Sequence, residues 1–281
     1  MPRARSRQRT GTGVPGHARA GNLLRGISRP MRRWMVLFLV VSAASGCGGS
    51  LKEQKREGVA SFEAAKASYD RGNYLDAIPD FKAYIEQYPG TDRTDDALYY
   101  LGESYIRERD YALASAQFDR LLRDFPSSPL QADALFELAR CDDLQSHPAP
   151  LEQTETERAL TRYNQFLDQY PAHPRVGEAR VRIQALRDRL AEKLLRTARL
   201  YVKLRQEKAA TISFRQLLAR YPDSKWAPEA ALLLAGSLER QGRKQEAVET
   251  LKKFIPSAPD GEIKRKADER LRGLQASEAP R

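Results

Sequence analysis

From Asp96 to Pro126 the chain reads DALYYLGESYIRERDYALASAQFDRLLRDFP, with apolar residues returning every three to four positions in two runs split by a polar stretch. That period predicts two amphipathic helices joined by a tight turn. Gly102 and Ala114 sit where two antiparallel helices would cross closely, large residues at Leu101, Tyr105 and Phe118 fill the space beside them, and Pro126 stops further helix. The same alanine, large residue and proline recur as Ala77, Phe81 and Pro89 one 37-residue step earlier. They return as Ala159, Tyr163 and Pro171, as Ala210, Phe214 and Pro222, and as Ala247, Leu251 and Pro259, always with 12 residues from alanine to proline. Unrelated amphipathic helices would not hold that distance five times.

The offsets are those of a tetratricopeptide repeat, so the expected fold is all-α, a tetratricopeptide-repeat superhelix of five helix-turn-helix units stacked through their apolar faces. Two departures from regular spacing stand out. In the third unit eight extra residues separate the helices, around Ser146-His147-Pro148-Ala149-Pro150, and predict an exposed loop. Between the third and fourth units, residues 176–205 read as one long helix of about 45 Å, with Ile183, Leu186, Leu190, Leu194, Ala198 and Tyr201 at helical spacing. Residues 58–173 then carry units one to three, and 174–281 carry units four and five with a polar capping helix from Glu262 to Leu274. The tail beyond Gln275 is expected to be disordered.

The N-terminal segment changes the picture of charge. The net charge of +11 includes nine arginines and no acid within residues 1–46, which leaves 11 − 9 = +2 for residues 47–281. A nucleic-acid partner is therefore not indicated. From Met31 the chain reads MRRWMVLFLVVSAASGCGGS, a charged start, a short apolar run and small residues, as in a secretory signal too short to span a bilayer. Residues 1–46 are accordingly read as a leader, with Met31 as the expected true start. Ala44-Ser45-Gly46-Cys47 resembles a bacterial lipobox, in which the cysteine becomes the lipidated first residue. Acyl chains on Cys47 would anchor the protein to a membrane without spanning it. Among the bacterial lipoproteins that this junction resembles, an aspartate after the cysteine favours inner-membrane retention; Gly48 in that place implies, by the resemblance, the outer membrane facing the periplasm. Residues 47–57 are expected to form a flexible tether.

Chemistry of a catalytic kind has little support. Only Cys47 and Cys141 are present, the three histidines lie in the leader or in proline-flanked loops, and the leader glycines follow no strand. No catalytic, metal or cofactor residue is singled out, and Cys141 reads as a buried structural thiol. Binding is better supported. The phase of Tyr99 places Phe62 one unit earlier and Phe136 one unit later, an aromatic stripe that ends at Leu195 and Leu232 in units four and five. Lys66, Glu103 and Arg140 lie four residues further along the same face, with Tyr69 one turn beyond Lys66. Such a surface suits an extended peptide ending in an aromatic residue with its carboxylate, although the same aromatics could equally be packing between units. Residues 175–208 hold eleven basic and four acidic residues, a basic rod for an acidic surface or a solvated helix face.

Taken together, the lipobox at Cys47, five units, the insertion in the third, the ALTRYNQFLDQYP helix at 159–171, Leu186-Arg187-Asp188-Arg189-Leu190-Ala191 in the long helix and the Arg220-Tyr221-Pro222-Asp223-Ser224 turn resemble the BamD family. These are repeat-containing lipoproteins of the bacterial outer-membrane protein assembly machine. The resemblance implies binding to the periplasmic domains of a BamA-type barrel assembly protein beside other assembly lipoproteins. It also implies recognition of unfolded outer-membrane protein precursors, whose terminal aromatic residue the Phe62–Tyr99–Phe136 stripe would receive. Ala44 and Asp142, the latter at the phase of Tyr105, depart from the pattern. The alternative is another envelope adaptor of repeat type, a secretin pilotin or a Tol-Pal cell-wall coordinator.

Overall fold

The computed structural model describes residues 50–276. The leader, the lipobox Ala44-Ser45-Gly46, Cys47 and residues 277–281 lie outside the described residues. Among those described, eleven α-helices and one short 3-10 turn account for the regular structure. Five helix pairs form the array: α1 (Ser50–Asp70) with α2 (Tyr74–Gln87), α3 (Thr94–Arg107) with α4 (Tyr111–Asp124), and α5 (Gln131–Gln145) with α6 (Thr154–Gln169). The fourth pair is α7 (Val176–Lys203) with α8 (Glu207–Arg220), the fifth α9 (Ala227–Arg240) with α10 (Lys244–Phe254), and α11 (Glu262–Ala276) follows.

Small residues recur at one phase of each helix in a pair. Ala65, Ala139, Ala198 and Ala235, with Gly102 in the second unit, lie on the first helices, and Ala77, Ala159, Ala210, Ala247 and Ala114 on the second, all of them buried. Beside them Phe81, Phe118, Tyr163, Phe214 and Leu251 are fully buried. The unit is tightest at Gly102, where a Cβ would come 2.6 Å from the Phe118 ring. Three apolar clusters result, and they run into one another: Leu122 packs against the first and second, Leu160 against the second and third.

The turns inside the units share one backbone solution. Gly72 (φ 82), Arg109 (φ 63), Arg205 (φ 58) and Gly242 (φ 76) are left-handed. In each case the next amide donates to the carbonyl five residues back, as Asn73 to Ser68, Asp110 to Tyr105, Gln206 to Tyr201 and Arg243 to Leu238. This six-to-one bond satisfies a carbonyl that the helix end leaves open. The third unit has no such residue; the insertion from Ser146 to Gln153 replaces the turn. Gln153 is buried, and its side-chain amide donates to the His147 and Pro148 carbonyls, which closes the loop on itself.

Several boundaries differ from those read in the sequence. Helix α1 already begins at Ser50, because residues 51–57 are strong helix formers, where a flexible tether was expected. The long helix stops at Lys203, since Arg205 takes the left-handed turn. In units one to four the second helix ends two residues before its proline, whereas α10 stops at Phe254 and passes into a 3-10 turn over Ile255–Ser257. Pro256, lacking an amide hydrogen, cannot continue α10. Asp142 is buried against Arg158 (2.7 Å) and Arg162 on α6, so an ion cluster stands where the second unit places Tyr105.

Helix α7 belongs to two blocks. Ala179 and Leu186 lie in the cluster of the third unit, and Leu190, Ala191, Leu195 and Ala198 in that of the fourth and fifth. Its arginines are largely paired rather than presented as a free basic rod. Arg182 meets Asp143, Arg187 meets Asp223, and Arg199 meets Glu229, each carboxylate on another element. At the end of the array Arg270 of α11 lies over Gly236 and binds Glu239, which fastens the cap to α9.

Candidate functional site

The first helices of units one to three, α1, α3 and α5, carry the residues singled out in the sequence. Two members of the aromatic stripe do not face an open groove. Phe62 is 2% exposed, with ring centroids of Tyr84 at 5.6 Å, Phe81 at 6.0 Å and Tyr100 at 6.4 Å. Phe136 is fully buried against Tyr163 and Phe166, both at 5.3 Å, and the Arg175 guanidinium covers its face at 3.5 Å. Both are therefore packing between helices. Burying rings of this size stabilises each pair by roughly 2–3 kcal/mol.

Tyr99 is half-buried and meets Phe118 and Tyr100 edge-on at 5.7 and 5.8 Å. Tyr69 and Tyr100, also half-buried, lie 5.1 Å apart, with the Lys66 ammonium 4.6 Å from the Tyr100 ring and 5.5 Å from that of Tyr69. Lys66 also binds Asp70. Cations over aromatic faces are held by the ring quadrupole, worth about 0.5–1 kcal/mol at such exposure. The partly open aromatic surface thus consists of Tyr69 and Tyr99, both among the residues singled out in the sequence, together with Tyr100, which was not.

Beside it lies a carboxyl pair that the sequence only half revealed. Glu103 on α3 is buried within electrostatic reach of Glu137 on α5, and its Oε1 has no hydrogen-bond partner. Glu137 is held from both sides, by Arg140 at 2.9 Å and by Arg175 at 2.6 Å. Burial, and then the neighbouring Glu137 carboxylate, push the Glu103 pKa up to about 7. Burial and next Glu103 also raise the hydroxyl of Tyr69, to about 12, and that of Tyr99. A neutral carboxylic acid here can donate a hydrogen bond as well as accept one. Arg140 pairs with Glu137 and acts on Glu103 only through its charge, and the sequence reading singles out neither Glu137 nor Arg175. A signal existed: Glu137 occupies in the third unit the phase of Tyr100, a carboxylate where the neighbouring repeat has an aromatic.

The arrangement offers aromatic faces, cations and a hydrogen-bonding acid, the equipment of a binding surface. Cys141 is buried, and burial pushes its thiol up to about 12. Among the described residues no group of three or more His, Cys, Asp or Glu side chains is placed to hold a metal ion, and no helix is long and apolar enough to cross a membrane.

Two curated relatives, both named outer membrane protein assembly factor BamD, align over most of the chain. The Caulobacter vibrioides protein is 26% identical over 214 residues, 74% of this chain and 70% of its own length. The Haemophilus influenzae protein is 25% identical over 229 residues, 78% of this chain and 87% of its own. Among solved structures, a TPR repeats protein from Bacteroides fragilis superposes with a TM-score of 0.45 at 13% identity, over 78% of this chain and 98% of that one. The family model described as YfiO, outer membrane lipoprotein, matches residues 55–254, from α1 to the end of α10, through the insertion in the third unit and the shared helix α7. With five repeats, that insertion and that shared helix all inside the match, the chain belongs to the YfiO family of outer membrane lipoproteins.

Proposed function

We propose that this protein is a scaffold of the outer-membrane β-barrel assembly machine, anchored through lipid on Cys47 at the periplasmic face of the outer membrane. In this reading it acts by binding, holding the periplasmic domains of a BamA-type barrel assembly protein together with other assembly lipoproteins and presenting precursor segments to them. The observation that carries the reading is the continuous family match over residues 55–254, whose curated relatives bear the name of outer membrane protein assembly factors.

Precursor binding is assigned to the surface of Tyr69, Tyr99 and Tyr100. Lys66 and Arg140 lie beside it to meet a terminal carboxylate, and Glu103 can pair with backbone groups of an extended chain. Phe62 packs against Tyr100 from within the core, Phe136 is buried against Tyr163 and Phe166, and neither is assigned a contact with the peptide. Co-purification of the native complex from membranes in mild detergent tests the first part: a barrel assembly protein should be recovered. Recovery of a secretin or a cell-wall coordinator without it would overturn the reading. For the second part, Tyr99→Ala should weaken binding of a peptide ending in an aromatic residue, and unchanged affinity in a folded variant would remove the site.

A further inference from the structure

A second recess lies away from this surface, along α7. It extends from Ala185 to Lys203, about 27 Å at 1.5 Å per residue. Its two parts, of about 450 and 420 Å³, share Glu192, Arg196 and Trp226 and so form one groove. One wall is Pro148-Ala149-Pro150 of the inserted loop, and the other is Lys225-Trp226 at the start of α9. The insertion that sets the third unit apart thus shapes a surface.

The groove has an apolar floor and a cationic rim. Trp226 is half-buried, with the Lys225 ammonium 5.2 Å from its ring, and Leu200, 54% exposed, continues the floor. Five cations line the groove against two carboxylates, Asp188 and Glu192. Both acids are engaged, Asp188 accepting the Lys225 amide at 3.0 Å and Glu192 holding Arg196, while Arg189 and Arg199 meet Asp143 and Glu229; Lys203 and Lys225 are the lining cations without a carboxylate partner among the described residues. Arg196, Arg199 and Lys203 follow one another at i, i+3 and i+7, on one face over about 10 Å. A walled channel with cations in file suits a chain of spaced carboxylates better than a single headgroup, which needs its cations clustered at one point. At 3.3 Å per residue its length holds about eight extended residues.

We propose that this groove binds an extended acidic peptide segment of a partner protein, with its carboxylates on Lys203 and Lys225 and an apolar side chain over Trp226. Trp34 and Trp226 are the two tryptophans of the chain, so Trp34→Phe in the full-length protein leaves Trp226 as the sole indole reporter. Titration with a probe of about eight residues, alternating glutamates around a central leucine, should change Trp226 emission saturably. Affinity should fall with added salt, and by about tenfold or more with Lys203→Glu combined with Lys225→Glu. Both lysines are exposed, so that variant should keep its native circular dichroism. Equal binding of the glutamine version of the probe would overturn the proposal. So would undiminished binding by the folded charge-reversed variant, or capture of anionic lipid vesicles with no response to the peptide.

Discussion

The crossing of α3 and α4 gives a direct measure of how closely this array is packed. A Cβ on Gly102 would lie 2.6, 2.8 and 3.0 Å from three ring carbons of Phe118. That ring is fully buried and meets Tyr99 edge-on at 5.7 Å, so it cannot swing aside as an exposed side chain would. Gly102→Ala should therefore cost about 1–3 kcal/mol in overpacking. Replacing glycine inside a helix returns about 1 kcal/mol. The expected outcome is a net loss of about 1 kcal/mol, or roughly 2–4 °C in Tm for a chain of this size. Alanine is no obstacle to the fold itself, since Ala65, Ala139, Ala198 and Ala235 occupy the same phase in the units that carry Phe81, Tyr163, Phe214 and Leu251. The conflict is local, so Phe118→Leu, costly alone, should cost less in the Gly102→Ala background. A double-mutant cycle should show coupling of about 1 kcal/mol. Urea unfolding followed by far-ultraviolet circular dichroism reads each value. If Gly102→Ala instead raised the midpoint with an unchanged slope, Phe118 would have room and the packing argument would fail.

Other perturbations test separate features. Arg109→Gly and Arg205→Gly should each stabilise the fold by up to about 1 kcal/mol, because non-glycine residues are strained at φ 63 and 58. Gly72→Ala should lose about as much in the same urea assay, since a Cβ there meets nothing within 4 Å and only the backbone responds. Glu103 holds its proton more tightly in the fold than its ordinary value of 4.5 allows, so the folded chain keeps a proton that the unfolded chain releases. Stability should accordingly decline as pH rises from about 4.5 to about 7, and Glu103→Gln, neutral throughout, should flatten that decline in unfolding midpoints measured across the range. Cys47→Ala should move the protein from the membrane to the soluble fraction, and firm retention would show that another element holds it.

Period and spacing made most of the architecture legible. The fixed distance from alanine to proline located every second helix, and the breaks in that spacing located the inserted loop and α7. Depth was not legible in the same way. Repeat phase states which side of a helix a residue occupies, but Phe62 and Phe136 are covered by Tyr84, Tyr100, Phe166 and Arg175, which arrive from other helices. The apparent charge of α7 misled for a similar reason. A sum along one segment counts its arginines, while the carboxylates that pair with them stand 30 to 39 residues away at Asp143, Asp223 and Glu229. One signal went unread: Pro256 cannot continue α10, so this second helix ends early.

Arrays of this kind are commonly weakest between neighbouring units, where only side-chain packing joins one pair to the next. Here α7 crosses that boundary as unbroken helix over 28 residues. Once either block has formed its half of α7, the other half extends an existing helix and escapes the cost of starting a new one. The boundary thus becomes a seam sewn by the backbone itself. Where a chain of separate beads would fray one by one, the third and fourth units should melt together, with α7 the last element to lose its amide protection against hydrogen exchange.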